Sequence, residues 1–222
     1  MSRREEVLAE MGLAPIWKLR QAGAVHDGAV QEAPQRESPG GWIELKKAVP
    51  ACVACGLHKT RKQTVFGVGD ENADWMLIGE APGAEEDRLG DPFVGQAGRL
   101  LDNMLATIDL SRSKNVYIAN VLKCRPPGNR NPEPEEVARC SPHLIRQIEL
   151  VRPKLIVAMG RFAAQTLLNT DASIASLRGR VHRYAGVPCI VTYHPAYLLR
   201  NLPDKSKAWA DLLFARKTMA AL

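Results

Sequence analysis

The sequence feature that most constrains the fold is a repeated alternation of short apolar runs with amphipathic segments. The runs ADWMLIGE (73–80), VYIANVL (116–122) and KLIVAMG (154–160) are largely apolar, and helical spacing follows each of them. Strands that are apolar on both faces are typical of a parallel sheet that is covered by helices on both sides. The sequence therefore predicts an α/β fold with three layers, α/β/α, and a mainly parallel central sheet.

The same pattern predicts the remaining elements and divides the chain in two. Helices are predicted over Trp42–Ala48, Gly98–Leu110, Pro134–Val151, Arg161–Leu168 and Lys205–Leu222, and short strands over Arg180–Tyr184 and Val187–Tyr193. Residues 3–13 and 15–22 have helical spacing, and residues 24–41 are rich in Gly, Pro and charge, as linkers are. We therefore predict a partly helical or disordered extension and linker over residues 1–45, followed by a catalytic domain over residues 46–222.

Charge is distributed unevenly between these two parts. Residues 1–45 carry five Lys/Arg and seven Asp/Glu, whereas the rest carries 25 Lys/Arg against 17 Asp/Glu, within a net charge of +6. A basic globular domain suits an acidic partner such as a phosphate backbone, although many soluble proteins are basic. No apolar run approaches the eighteen or so residues of a membrane span, so no membrane partner is expected.

Three polar segments follow strands of the predicted sheet, where α/β folds bind their ligands. These segments are GEAPG (79–83), NVLKCRPPGNR (120–130) and HPAYLLR (194–200). They supply a carboxylate from Glu80, an amide from Asn120 and an imidazole from His194. Each has an ordinary explanation as a turn, a cap or a loop residue, but together they predict one ligand site.

Four of the five cysteines form an uneven quartet. Cys52 and Cys55 are separated by two residues, and Cys124 and Cys140 by fifteen. No apolar segment typical of a secretory signal follows the N-terminal arginines, so we expect a cytoplasmic protein with reduced thiols.

In that setting a cysteine quartet more often binds metal than forms disulfides, although buried cysteines also act as small apolar side chains. Both zinc and iron–sulfur clusters accept four thiolates. The combination of one Cys-x-x-Cys pair with two widely spaced cysteines slightly favours an iron–sulfur cluster over zinc. Cys189, in the run PCIVTY, is predicted to be ordinary core.

The motifs taken together resemble a known family. GEAPGAEED, DPFVGQAG, NVLKCRPPGNRNP and HPAYLLR, combined with this cysteine spacing, resemble the type-4 iron–sulfur uracil-DNA glycosylases from about Cys52 to the C-terminus. The resemblance implies a four-stranded parallel sheet between helices and a structural [4Fe–4S] cluster on Cys52, Cys55, Cys124 and Cys140. It also implies a monomeric DNA-repair enzyme that flips deoxyuridine out of single- or double-stranded DNA, hydrolyses the N-glycosidic bond and leaves an abasic site.

The resemblance also assigns roles to residues of the motifs. Phe93 corresponds to the aromatic residue that stacks on the flipped base, and Asn120 to the residue that reads its Watson–Crick edge. His194 corresponds to the donor that stabilises negative charge on uracil O2. Ala81 occupies the position at which better-known relatives carry a water-activating aspartate. Glu80 is our first candidate for that step and Glu86 our second, although either carboxylate could lie on the surface.

The loop after His194 could contact the DNA backbone and the base stack. Residues 196–199 form an apolar tip in which Leu198 could act as a wedge, and Arg200 beside it could grip a phosphate. The alternative is that Leu198 and Leu199 pack in the core.

Three other functions compete with this interpretation. A relative that becomes covalently trapped on DNA would carry an extra Arg- and His-rich loop after Gly95–Gly98, but here Arg99 and Leu100 follow directly. A non-enzymatic nucleic-acid-binding module with a structural zinc would explain the charge and the cysteines, but it gives no role to Glu80, Asn120 and His194. The third alternative is a different nucleotide-handling enzyme on the same fold, and an assay on uracil-containing oligonucleotides distinguishes it from a uracil-DNA glycosylase.

Overall fold

The computed structural model describes residues 41–222, so the predictions for residues 1–40 lie outside the described part of the chain. In chain order, the helices and strands are α1 (Trp42–Ala51), β1 (Val68–Gly69), β2 (Trp75–Gly79), α2 (Ala84–Leu89), α3 (Gln96–Ala106), β3 (Val116–Asn120), α4 (Pro134–Val151), β4 (Leu155–Met159), α5 (Arg161–Leu168), α6 (Ile174–Leu177), β5 (His182–Tyr184), β6 (Val187–Thr192), α7 (Pro195–Arg200) and α8 (Lys205–Met219). Short 3₁₀ turns lie over Gly56–Lys59, Pro127–Asn129 and Leu202–Asp204. Trp42 packs its ring on Phe66 and Tyr117, so α1 belongs to the domain although its first residues fall within the predicted extension.

The sheet has six strands in the order β1-β3-β2-β4-β6-β5. Its four central strands are parallel, and the edge strands β1 and β5 are antiparallel to their neighbours. The mainly parallel α/β fold is thus confirmed, whereas the count of four strands that the resemblance implied was too low. It left out β5, although the sequence predicted a strand over Arg180–Tyr184, and β1, which was not predicted. Strand β1 comprises only two residues, too few for any alternation to reveal it.

Helices cover both faces of the sheet because its central strands are apolar on both sides. Met76 and Ile78 of β2 pack in one core with residues from α4 and α5. Trp75 and Leu77 pack in a second core with residues from α3 and α8. These two cores confirm the three-layer arrangement.

The chain order of the strands creates a crevice next to β2. The chain passes from β2 to β3 on one side and then crosses to β4 on the other. Loops leaving neighbouring strands diverge at such a reversal, which is where open α/β sheets bind ligands. Within residues 41–222, no helix combines the length and the apolar character that crossing a membrane would need.

Candidate active site

A cavity of about 710 Å³ lies at the carboxyl ends of the parallel strands. Residues at the end of β3 and directly after β2, β4 and β6 all contribute to its wall, namely Asn120, Glu80, Gly160, Arg161, Tyr193 and His194. The structure therefore brings together the three segments that the sequence placed at this edge. It adds a fourth, the start of α5.

Asn120 is the last residue of β3, and its side chain is buried at 3% exposure. Its Oδ1 has no hydrogen-bond partner within residues 41–222. A buried polar group without a partner costs about 1–3 kcal/mol, so the fold retains an acceptor that a ligand can satisfy.

Gly79 provides the space that this amide occupies. A Cβ at position 79 would lie 2.4 Å from Asn120 Oδ1 and 2.7 Å from Phe93 Cζ. A real Cβ atom essentially never makes contacts this short, so only glycine lets both side chains approach the end of β2.

Phe93 lines the cavity with a strained backbone. It has φ = 54°, in the left-handed region that a bulky residue rarely adopts, which costs about 1–3 kcal/mol. Its ring is buried at 6% exposure and lies 5.4 Å from the His194 ring, centroid to centroid. Strain of this kind persists only where neighbouring groups fix the backbone.

Arg112 and Glu86 fix the segment around Phe93. The Arg112 guanidinium donates to the carbonyls of Pro92, at 2.7 Å, and Phe93. Glu86 Oε1 accepts from the Val94 backbone N–H at 3.0 Å, and its Oε2 accepts from that of Gly83 at 3.1 Å. Both Glu86 oxygens are thereby engaged with backbone, which makes it a brace between two loops at the cavity wall.

His194 follows β6 and is the N-cap of α7. Its Nδ1 accepts a hydrogen bond from the Ala196 backbone N–H at 3.1 Å. Burial, with a smaller effect from Arg200, lowers the pKa of His194 to about 4. The imidazole is therefore neutral at physiological pH. Because Nδ1 is the acceptor, the single ring proton resides on Nε2.

Glu80 follows β2 directly and is partly buried in the cavity wall. Burial raises its pKa, and the nearby Arg161 guanidinium acts in the opposite direction. Ala81 lies beside it in the same wall. Glu80 is thus a carboxylate in a site that also contains a cation, while position 81 offers no polar side chain.

Leu198 and Arg200, which the sequence placed side by side after His194, differ in their surroundings in the structure. Leu198 is buried at 1% exposure, so it belongs to the core, as the alternative interpretation had it, and does not form a wedge. Leu199 is 38% exposed, and Tyr197 and Arg200 line the cavity mouth. The helical turn of α7 explains the difference, since successive residues of a helix face different directions.

Cys52, Cys55, Cys124 and Cys140 line one small cavity beside the active site. None of them forms a disulfide, and Cys189 is buried in β6 as predicted. Two nitrogen donors reach sulfur: Arg61 Nη1 lies 3.1 Å from Cys124 Sγ, and the Lys123 backbone N lies 3.2 Å from Cys140 Sγ.

The residue types of this donor set, four cysteines with two N–H groups directed at their sulfurs, suit a thiolate-bound zinc ion or an iron–sulfur cluster alike. Among residues 41–222, no three His, Cys, Asp or Glu side chains are grouped closely enough to hold one metal ion.

Sequence reasoning missed several residues that shape the site. Arg112, Arg161 and Gln147 carry no motif signal, because their roles depend on contacts between segments distant in sequence. Lys123 lies within the segment NVLKCRPPGNR, but its complete burial was not predicted. Arg161 could have been found from the rule that strand ends meet at one edge, since it follows β4.

The fold and the cavity define an α/β enzyme with a ligand site at the strand reversal, and comparison with known proteins identifies the family. The model of the Uracil DNA glycosylase superfamily matches residues 66–213. The chain is 48% identical to a type-4 uracil-DNA glycosylase of Archaeoglobus fulgidus, over 70% of this chain and 82% of the relative. It is 45% identical to another type-4 enzyme from Saccharolobus solfataricus, over 78% and 83% of the two chains.

A more distant relative, a type-5 uracil-DNA glycosylase of Pyrobaculum aerophilum, is 37% identical over 60% of this chain and 66% of the relative. The chain therefore belongs to the uracil-DNA glycosylase superfamily and, within it, to the type-4 group.

Proposed function

We propose that this chain flips deoxyuridine out of DNA into the cavity and hydrolyses the N-glycosidic bond, with Asn120, Phe93, His194 and Glu80 as the working residues. The single observation that carries this proposal is the buried Asn120 amide, whose Oδ1 has no partner within the described residues and lies at a cavity shared with Phe93 and His194. Membership of the type-4 group supports a uracil-excising DNA-repair enzyme.

Asn120 can select uracil by the pattern of donors and acceptors on its edge. Its Oδ1 accepts from uracil N3–H, and its Nδ2 donates to O4. Cytosine presents an acceptor at N3 and a donor at N4, the reverse arrangement. An amide held in the orientation that suits uracil therefore disfavours cytosine.

Phe93 supplies an aromatic surface for the flipped base. Extrusion of a nucleotide costs a few kcal/mol, and stacking on one aromatic ring returns roughly 1–3 kcal/mol. A ring that Glu86 and Arg112 already hold in place loses little entropy when the base arrives.

His194 stabilises the charge that develops when the bond breaks. The bond between uracil N1 and sugar C1′ cleaves with both electrons on the base, so negative charge spreads to O2. A neutral imidazole with its proton on Nε2 donates a hydrogen bond there, and such a donor is commonly worth about 2.7–4 kcal/mol.

Glu80 completes the hydrolysis at the sugar. Its carboxylate stabilises positive charge at C1′ and orients the water whose oxygen bonds to that carbon, while the water proton passes to the carboxylate or to solvent. The free space at Ala81 leaves room for this water. Glu86, with both oxygens bound to backbone N–H groups, acts as a brace.

Residues at the cavity mouth engage the DNA around the flipped nucleotide. Arg200 grips a phosphate, and the wedge role passes from the buried Leu198 to Leu199 and Tyr197, which are accessible. The chain acts as a cytoplasmic monomer in this scheme, a setting in which the free cysteines stay reduced.

Cys52, Cys55, Cys124 and Cys140 would hold a [4Fe–4S] cluster, which supplies a rigid cross-link near the strand ends. The protein purified without oxygen should then be brown, because thiolate-to-iron charge transfer absorbs visible light. A colourless preparation that contains stoichiometric zinc would overturn the iron assignment.

The experiment that tests the function is incubation with a duplex carrying one uracil, followed by alkaline cleavage of abasic sites. We expect strand scission at the uracil and none in the matched cytosine or thymine duplex. Helix α3 begins directly after Gly95 and leaves no room for the extra loop of the covalently trapped relative. We therefore also expect the enzyme to be released from the DNA after each excision. An intact uracil strand would refute the proposal, and a covalent protein–DNA adduct would favour the trapping relative.

A further inference from the structure

Lys123 is a buried lysine that lies between the active site and the four cysteines. Its side chain is among the largest that the domain buries completely, at 1% exposure. It comes three residues after Asn120 and immediately before Cys124. A buried ammonium group requires compensating interactions, because lysine is almost never fully buried without a charged partner.

The hydrogen bonds of Lys123 join both sites. Its Nζ donates to the backbone carbonyl of Asn120 at 2.8 Å and to Gln147 Oε1 at 2.5 Å. Its backbone N–H donates to Cys140 Sγ at 3.2 Å. One residue thus touches the strand end that carries the base-reading amide and a sulfur of the cysteine quartet.

Gln147 holds the ammonium in place from the opposite side. It is fully buried on α4, and its Nε2 donates to the Phe66 carbonyl at 2.8 Å and to the Tyr117 hydroxyl at 3.2 Å. Gln147 can therefore neither rotate nor withdraw without leaving buried groups unpaired. The position of Lys123 Nζ, and with it the Asn120 carbonyl, is fixed.

Neither acceptor of Lys123 Nζ carries a charge. Within the described residues no carboxylate forms an ion pair with Lys123, and Lys123 lines the same small cavity as the four cysteines. A four-thiolate iron–sulfur cluster has a net negative charge. That charge would compensate the buried ammonium.

We propose that Lys123 is a positioning residue that couples the cysteine-bound cluster to the base-reading amide, serving as counter-charge to the cluster and as the donor that fixes the Asn120 carbonyl. The inference rests on the proposed function. In this proposal, the cluster has a structural role, and it affects base recognition through the Lys123 side chain.

The test compares Lys123→Met with Arg61→Met. The first substitution keeps the length of the stem but removes the charge and both Nζ hydrogen bonds. The second removes a cationic side chain that donates directly to a quartet sulfur, through the contact of Arg61 Nη1 with Cys124 Sγ, and leaves Asn120 untouched. Measured for each protein are iron content, the rate at which visible absorbance bleaches under ferricyanide, the single-turnover rate on uracil-DNA and the ratio of uracil to cytosine excision.

Both variants should bleach faster than the unsubstituted protein. Only Lys123→Met should lose single-turnover rate per bound cluster, by about 10-fold or more, the usual effect of removing a group that orients a metal site. Its uracil-to-cytosine ratio should fall as well, whereas Arg61→Met should keep both values. A general loss of stability would lower the yield and the iron content without changing the selectivity of the loaded fraction.

The outcomes separate this inference from the proposed function. If the unsubstituted protein does not excise uracil, the proposed function fails. If it does, and Lys123→Met matches its rate and selectivity per cluster, the inference is overturned. Should Lys123→Met not fold, Gln147→Leu removes one acceptor of the same ammonium, and an unchanged selectivity in that variant also overturns it.

Discussion

At the scale of single residues, the site depends on two polar groups that are each only partly satisfied by the protein. Asn120 keeps an unpaired Oδ1 in a buried position. His194 uses Nδ1 for the Ala196 N–H and keeps Nε2–H for another partner. Groups prepared in this way lose little energy to reorganisation when a substrate arrives, which is the basis of electrostatic catalysis.

We predict that His194→Ala slows bond cleavage by about 10²–10³-fold, the usual loss when one donor to a developing anion is removed. DNA binding should change little, because affinity depends mainly on contacts with phosphates. Single-turnover rates and dissociation constants at one salt concentration separate the two effects.

His182→Ala is the matched control for that substitution. His182 bonds the Leu177 carbonyl and does not line the active-site cavity, so this variant should cleave at the normal rate. A His194→Ala protein that binds weakly but cleaves its bound DNA normally would show that His194 only binds substrate.

The pH dependence of the reaction should report Glu80. Burial raises its pKa above the ordinary value of 4.5, and the mechanism needs the carboxylate. The single-turnover rate should therefore fall as the pH drops through that raised pKa. In Glu80→Gln the rate should be lower, and this decline should vanish, leaving only the protonation of His194 at about pH 4.

The measurement is the single-turnover rate of both proteins across the acidic range, with circular dichroism at each pH to confirm folding. A Glu80→Gln protein with the same acidic decline as the unsubstituted chain would assign the titration to another group and remove Glu80 from the mechanism.

At the scale of elements, the ends of the parallel strands determine which side chains meet. Strand β2 ends in Gly79, and its two neighbours β3 and β4 end beside it. The missing side chain at position 79 is what lets Asn120 and Phe93 reach the same space.

Gly79→Ala should accordingly slow excision while the domain still folds. The added Cβ would lie 2.4 Å from Asn120 Oδ1, so the amide must move, and we expect at least a 10-fold loss in single-turnover rate. Overpacking of this kind typically costs about 1–3 kcal/mol of stability. Thermal unfolding and the excision rate, measured on the same preparation, check both expectations.

Gly41→Ala is the control, since a Cβ there meets nothing within 4 Å, and it should retain full activity. Equal activity of the two variants would mean that a Cβ at position 79 does not displace the Asn120 amide.

The sequence predicted the buried elements well because their signals are local. The bounds of α4 and α5 agree with the prediction, and β2, β3, β4 and β6 lie within the predicted runs. The predicted helix over 98–110 begins instead at Gln96 and ends at Ala106, before the positive φ of Asp109. Helix α7 was missed because only six residues form it.

Long-range contacts account for what the sequence did not predict at the site. Glu80, Asn120 and His194 could be placed together because strand ends share one edge of a sheet. The burial of Leu198 and the bracing of Phe93 by Arg112 and Glu86 depend on packing between distant segments. No spacing in the sequence encodes those contacts.

At the scale of the whole molecule, the described domain contains every residue to which we assign a role. The family model matches residues 66–213, and α1 begins at Trp42. We therefore expect that deletion of residues 1–40 leaves base excision intact on both single- and double-stranded substrates. Excision rates of the truncated and full chains at several salt concentrations check this.

A truncated protein that keeps its unfolding midpoint but loses excision would show that the extension contributes to DNA binding. The cut lies ahead of Trp42 because its ring packs on Phe66 and Tyr117. A cut at residue 45 would remove Trp42 and destabilise the domain, whatever the extension contributes to DNA binding.

The spread of the cysteines along the chain has a consequence for biosynthesis. Cys52 and Cys140 enclose β1, β2 and β3, so the proposed set of four ligands is complete only after the first half of α4 has left the ribosome. His194 is translated later still. Under the proposed cluster assignment, a cell short of iron would produce full-length chains in which the segment bearing Glu80, Phe93 and Asn120 lacks its cross-link, and its capacity to remove uracil would follow its iron supply.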